Sequence, residues 1–237
     1  MRLLFPCITA LALMAPAPRG MAAGPASCQG DRLTAAPFAG GSGTASDPYT
    51  ICTAEQLANV NGFLDKHFLL ESDIDMRRYY TRNPQFTIGS NTDLFSGVFD
   101  GNHHAISNFE FGAFGEGTGL FGAVATRGVI RNLGVRDAYL HDGHRMGGIN
   151  QGFVERCWAI GGSIGLSASS GDPGFHNGGL VGRNDGTISD SYAAVHVSGG
   201  HQIGGLVGPN FGTIQSPMPP AQLIRSLSLM KTPASAV

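Results

Sequence analysis

The chain has 237 residues, 36 of them glycine, with 42% apolar and 14% charged residues, and its formal charge is −2. Glycine without a three-residue period excludes collagen, and this much apolar character with almost no net charge excludes outright disorder. The near-neutral balance offers no basic face for nucleic acid and no attraction to an anionic membrane.

Residues 1–23 place Arg2 ahead of an apolar run from Leu3 to Met14, followed by small residues. That order predicts a secretory signal peptide cleaved near Ala22 or Ala23. The run is too short to cross a bilayer comfortably, and no later stretch reaches about 18 uninterrupted apolar residues. The mature chain is therefore expected outside the cytoplasm, secreted or at the cell surface, with no membrane insertion. A lipid-modified cysteine would follow the apolar run directly, whereas Cys28 lies well downstream and Pro25 stands where a large aliphatic residue is usual.

Residues 24–47 are small, polar and punctuated by Gly and Pro, which suits a flexible leader. Cys7 leaves with the signal, so Cys28, Cys52 and Cys157 remain. Cys28 and Cys52 flank the start of the fold and are expected to form a disulfide in an oxidising compartment; the alternative keeps both free and buried. Cys157 is expected to be an inert buried thiol.

Residues 48–112 read as an N-terminal cap and the first strands. Thr53 and Gln56 make a capping-box spacing ahead of Leu57, Val60 and Leu64, predicting a short helix from Ala54 to Leu64. Strand candidates follow at His67 to Met76 and at Phe86 to Gly89. Phe95 to Phe99 and Ala105 to Phe109 form a further pair, parted by a hairpin-like turn signal at Asp100-Gly101-Asn102.

Residues 113–216 repeat themselves. Gly119-Leu120-Phe121-Gly122 recurs as Gly147-Gly148-Ile149-Asn150, as Gly178-Gly179-Leu180-Val181-Gly182 and as Gly204-Gly205-Leu206-Val207-Gly208. The fullest copies are GGLVGRNDGTISDSYA from Gly178 and GGLVGPNFGTIQS from Gly204. GGINQGFVERCWA, from Gly147, aligns with one residue deleted, which sets Trp158 against Tyr192. Repeats of about 26 to 31 residues with short strand-like patches cannot bury their apolar faces alone and must stack. The expected architecture is all-β: a right-handed parallel β-helix with a short N-terminal capping helix. Stacking would pile Leu120, Ile149, Leu180 and Leu206 into one internal ladder and Ile130, Val154, Ile188 and Ile214 into another, about 4.8 Å per step. Residues 217–237 depart from the pattern at Pro217, Pro219 and Pro220, which should stop the ladder, leaving a C-terminal tail or cap.

These repeats resemble the GLUG motif of bacterial secreted and surface proteins, close to GGLVGxNxGxIxxSYAxGxV. The match is nearly complete at 178–195, good at 204–214 and degenerate at 147–158. Upstream, GTASDPY from Gly43, TAEQL from Thr53, LESDID from Leu70 and FSGVFDGN from Phe95 resemble the region that often precedes such repeats. The resemblance implies a right-handed β-solenoid of the kind found in adhesin-like surface proteins and in the non-catalytic region of IgA1-specific metallopeptidases. It implies no catalytic residues.

The motifs that could carry chemistry are weak. Gly117 to Gly122 matches the spacing GxGxxG but lacks the following helix that would meet a pyrophosphate. His141, His144, His103, His104, His176 and His201 could suggest a metal, yet HExxH is absent and no three-ligand spacing stands out. Asp73, Asp75 and Asp100 raise the glycosidase question, which needs two carboxyls facing one bond, but turn and capping roles suit them better. Calcium at Asp185 or Asp190 lacks the nonapeptide pattern. The sequence thus predicts a non-enzymatic module for adhesion or interaction, or a structural spacer, with an extracellular protein or glycan surface as partner. It predicts no catalytic residue, no cofactor and no metal. The rival expectations are a carbohydrate-active β-helix enzyme and a fragment of a larger secreted peptidase or adhesin.

Overall fold

The computed structural model describes residues 28–80, 86–111, 118–141, 147–165, 176–198 and 202–215. The expected signal peptide and the expected tail or cap over 217–237 lie outside the described residues. The fold is mostly β, with parallel sheets and helix confined to short segments such as Ala54–Asn59.

The first sheet has seven strands, in order Tyr49–Ile51, His67–Leu70, Val98–Asp100, Val129–Arg131, Phe153–Glu155, Thr187–Ser189 and Thr213–Gln215. Every neighbouring pair is parallel, so the chain leaves the sheet and returns before each new strand. Their register runs one ladder through Tyr49, Phe68, Phe99, Ile130, Val154, Ile188 and Ile214. Five of those side chains, from Phe68 to Ile188, are buried, whereas Ile214 on the last described strand is 43% exposed.

The second sheet orders Ile74–Asp75, Ala105–Ser107, Gly134–His141, Trp158–Gly165 and Tyr192–Val197, with Glu110–Phe111 also paired to Gly134–His141. The third joins Thr118–Val124, Gly147–Asn150 and Arg183–Asn184, and isolated bridges extend it at Ile88–Phe121, Val181–Val207 and Asn184–Asn210. A strand of the first sheet passes to the second through a corner. In three successive passes one non-glycine residue there is left-handed: Asn132 at φ 51°, Arg156 at 50° and Asp190 at 47°. The next residue of each, Leu133, Cys157 or Ser191, turns inward and is buried.

Several expectations change. Val98–Asp100 and Ala105–Ser107 form no hairpin; Asp100 to His104 is a corner, and the two strands belong to different sheets. The same holds for His67 to Met76, which splits into His67–Leu70 and Ile74–Asp75. At Ile88 the expected strand is only a bridge to Phe121. The helix ends at Asn59 and tightens to a 3-10 turn over Val60–Gly62, its start fixed by Thr53 Oγ1 accepting the Gln56 N–H at 3.2 Å.

The ladder expected through Leu120, Ile149, Leu180 and Leu206 is also corrected. Ile149 stands level with Ala123 and Arg183, and Asn150 with Asn184. The Gly147-Gly148-Ile149 opening therefore lies opposite Val181-Gly182-Arg183, so the alignment needs three deleted residues rather than one. Packing is decided downstream, where Gly152, Gly186 and Gly212 stack so closely that a Cβ on one would strike the carbonyl of the pass before. Leu180 and Leu206 remain mutual neighbours, joined by Leu180 N–H to the Leu206 carbonyl at 2.9 Å, but both are half-buried; Val181 and Val207 take the buried places.

Residues 28–47, within the expected flexible leader, are pinned. Phe38 is 5% exposed and stacks on Tyr49 with ring centroids 4.4 Å apart, and Gln56 Nε2 donates to the carbonyls of Arg32 at 2.8 Å and Ala35 at 2.9 Å. An aromatic cluster of Phe38, Tyr49, Phe63, Phe68, Phe95, Phe99 and Phe121 fills this end of the core. Farther along, the inward residues shrink to Val154, Cys157, Ala159 and Val181, and a cavity of about 130 Å³ opens among Leu120, Val124, Ile149, Val154 and Leu180.

Candidate functional site

Alternation along a strand sends successive side chains to opposite faces, so the buried Cys157 and Ala159 turn Trp158 outward. Trp158 stands level with Gly134 on one side and Tyr192 on the other. Its indole lies across Gly134 so closely that any Cβ at residue 134 would overlap the ring. The Arg136 guanidinium sits over the indole, 5.6 Å from the ring centroid, within the range of a cation–π contact. Farther along the same strands, beyond Ile160, Tyr139, Ser163 and His196 form a second row, with Tyr139 41% exposed. Between the two rows Gly161 and Gly162 adopt φ 71° and 74°, and the register shifts there by a bulge. This face gathers an indole, two phenols, an imidazole and a cation on one rigid sheet. Such a surface can stack on planar or sugar-like groups and hydrogen-bond around them.

The carboxylates considered for acid–base chemistry hold corners together instead. Asp73 Oδ1 accepts the Ala105 N–H at 2.9 Å and lies 3.2 Å from His104 Nδ1. Asp75 is paired with Arg77 and takes the Asn108 amide at 3.0 Å; the Arg77 hydrogen bond leads in holding its carboxyl down to about 2. At Asp100, partial burial works to raise the pKa, but the hydrogen bonds from Asn132, the Asn102 N–H and Arg131 outweigh it and the carboxyl sits below its ordinary value. A general acid at neutral pH needs the opposite shift. Asp185 is held by Arg183, whose Nε lies 2.9 Å from Oδ2, and Asp190 occupies a corner.

The residues of the GxGxxG spacing that are described lie in the strand Thr118–Val124, not at a helix start. His103 sits in a left-handed corner at φ 67°, while His144 and His201 lie outside the described residues. Among the described residues, Cys28, Cys52 and Glu71 are the grouping whose ligand atoms lie within 4.8 Å of one another. Cys28 and Cys52 are joined as a disulfide with Cα atoms 5.5 Å apart, and Cys157 is a free buried thiol whose pKa burial pushes up to about 12.

Sequence reading missed a buried polar ladder. Asn150 Nδ2 donates to Asn184 Oδ1 at 2.7 Å, and Asn184 Nδ2 donates to Asn210 Oδ1 at 2.7 Å. Asn150 and Asn184 are 2% and 0% exposed. The signal was present in the Asn-x-Gly triplets at 150–152, 184–186 and 210–212. Read as turn chemistry, they conceal that the amides stack inside.

No family model matches the chain. It is 39% identical over 108 residues to a protein of Evansella cellulosilytica described provisionally as a Gly-rich membrane protein, covering 44% of this chain and 12% of that one. Over 169 residues it is 34% identical to halomucin of Haloquadratum walsbyi, covering 65% of this chain and 2% of that one. The chain thus spans a small part of these relatives. Among solved structures it is similar to a Bacteroides ovatus protein provisionally assigned as an immunoglobulin A1 protease, with a TM-score of 0.53 and 22% identity over 75% of this chain and 70% of that one. That likeness concerns the fold. No described helix is long and apolar enough to cross a membrane.

Proposed function

We propose that this chain is a non-catalytic module of a secreted or surface protein, exported by a signal peptide over 1–23 and built as a right-handed parallel β-solenoid of GLUG-like repeats. The outer face of its second sheet contacts an extracellular protein or glycan, and the stacked passes hold that face rigid. The observation that carries this reading is the Trp158 indole seated on Gly134 beneath Arg136, with Tyr192, Tyr139 and His196 on the same face. Partial coverage of relatives many times longer supports a module used within larger surface proteins. The hydrogen-bonded state of Asp73, Asp75 and Asp100 speaks against the carbohydrate-active enzyme.

The test is to titrate the protein with mucin-type and neutral polysaccharides while following fluorescence from Trp158, the one tryptophan in the chain, and assaying released reducing ends. Saturable binding that weakens about tenfold or more in Trp158→Ala, with no release of reducing ends, is expected; that factor corresponds to one lost stacking contact of about 1.4 kcal/mol. Release of reducing ends that disappears in Asp75→Asn or Asp100→Asn would overturn the reading.

A further inference from the structure

Glu71, near the N-terminal cap, is a buried charged side chain with one carboxylate oxygen left unsatisfied. Only 4% of its side chain is exposed; Oε2 accepts from Arg32 Nη2 at 2.6 Å, and Oε1 is buried with no hydrogen-bond partner. A buried carboxylate oxygen without a donor is destabilising. The parallel pairing of Ile51 with Leu70 sets the next residues, Cys52 and Glu71, side by side. Cys52 is fixed by its N–H donating to Gln56 Oε1 at 2.8 Å, and Glu71 by its N–H donating to the Ile51 carbonyl at 3.0 Å. Cys28 closes the group, so that both sulfurs and a Glu71 oxygen lie within 4.8 Å of one another.

We propose that the reduced form of this group, Cys28, Cys52 and Glu71, is a binding site for a zinc-like divalent cation, with water as the fourth ligand. A thiol reductant opens the site. Its two sulfhydryl groups become a disulfide, the Cys28–Cys52 bond breaks, and the two cysteines take the two protons. Metal binding then displaces those protons to solvent. Tetrahedral zinc with bonds of about 2.3 Å holds two sulfurs about 3.7 Å apart. Cα atoms 5.5 Å apart span that with side-chain rotation alone. Charge closes as well: two thiolates and one carboxylate against a divalent ion leave one negative charge, which the Arg32 guanidinium already faces. Arg32 would stay on Oε2 as an outer partner orienting the carboxylate, while the orphan Oε1 becomes the ligand. The same three residues would then staple the Cys28–Leu33 segment to the first strands in either redox state, by a covalent bond or by a cation.

The experiment uses the full mature chain carrying Cys157→Ser, reduced by a water-soluble phosphine so that no free thiol competes, and titrated with Co2+ alone and then Zn2+. One equivalent of Co2+ should give a thiolate charge-transfer band that Zn2+ abolishes, the oxidised protein should give none, and Cys28→Ser should remove it. Glu71→Gln should weaken Co2+ binding at least about tenfold, the loss that removing even an outer partner of a metal ligand causes. Two thiolates in a locally unfolded segment would bind without regard to residue 71. Equal affinity in the Glu71→Gln chain therefore overturns the proposal, as does the absence of a band in the reduced parent. Melting curves of the reduced parent with and without Zn2+ give the second readout, a rise in Tm being expected and an unchanged Tm being contrary.

Discussion

Both ends of the Asn184 amide are used inside the protein: Oδ1 accepts from Asn150, and Nδ2 donates to Asn210 Oδ1 at 2.7 Å and to the Gly186 carbonyl at 3.3 Å. Asn184→Ala leaves Asn150 without its main acceptor in a site closed to water, and a buried group stranded this way costs about 1–3 kcal/mol. Asn210 is exposed, so water replaces what Asn210→Ala removes and the loss should stay under about 1 kcal/mol. Urea melts of the two variants measure the contrast; equal losses would show that the ladder contributes no more inside than at its end. Cys157 makes a pH prediction. Burial raises its folded pKa to about 12, above the unfolded value of about 8.5. The folded state therefore binds its proton more tightly. Its contribution is complete below about pH 8.5 and declines as pH rises toward 12. Cys157→Ala should flatten the fall of stability across that alkaline window, read from Tm at stepped pH.

The corners are the elements that let short strands feed separate sheets. Asn132 and Asp190 belong to the residue types that enter the left-handed region at small cost, whereas Arg156 at φ 50° does not. Its side chain recovers part of the cost by donating from Nε to Asn132 Oδ1 at 2.8 Å, on an exposed edge where such a bond is weak. Arg156→Asn should therefore stabilise the fold by up to about 1 kcal/mol, since the left-handed region costs an ordinary residue about 1–2 kcal/mol and part of that is offset by the lost bond. Thermal melts showing destabilisation instead would mean the Arg156 to Asn132 bond outweighs the backbone strain. In the sequence such a corner looks like a hairpin turn, since a turn signal between apolar runs is common to both. What separates them is the partner of the second strand, which for Ala105–Ser107 is Gly134–His141 and Ile74–Asp75.

Taken whole, the described molecule is closed at one end and open at the other. Helix Ala54–Asn59, the Cys28–Cys52 bond and the aromatic cluster around Phe38 and Phe68 cover the first strands. At the opposite end Thr213–Gln215 is an edge strand, with Phe211 at 67% and Ile203 at 47% exposed beside Ile214. An edge with apolar side chains and unpaired backbone groups templates association. A chain ending at Gln215 is expected to self-associate, and Ile214→Lys in that chain to reverse it, as sedimentation velocity over a concentration series would show. Monomeric behaviour of the truncated chain at all concentrations would contradict this.

The sequence by itself determined what depends on local chemistry and on repetition. Thr53 and Gln56 announced the helix start, and the turn followed by an apolar residue in each repeat announced the ladder of Ile130, Val154, Ile188 and Ile214. Tertiary structure decided whatever depends on which pass lies against which. A glycine pair looks the same wherever it occurs, so the sequence alone sets Gly147-Gly148 against Gly178-Gly179, whereas the stacked Gly152 and Gly186 put Ile149 level with Arg183. The outward platform of Trp158, Arg136 and Tyr139 and the meeting of Glu71 with two cysteines share that origin, because parallel stacking makes neighbours of residues about 20 to 40 apart, a distance no local pattern records.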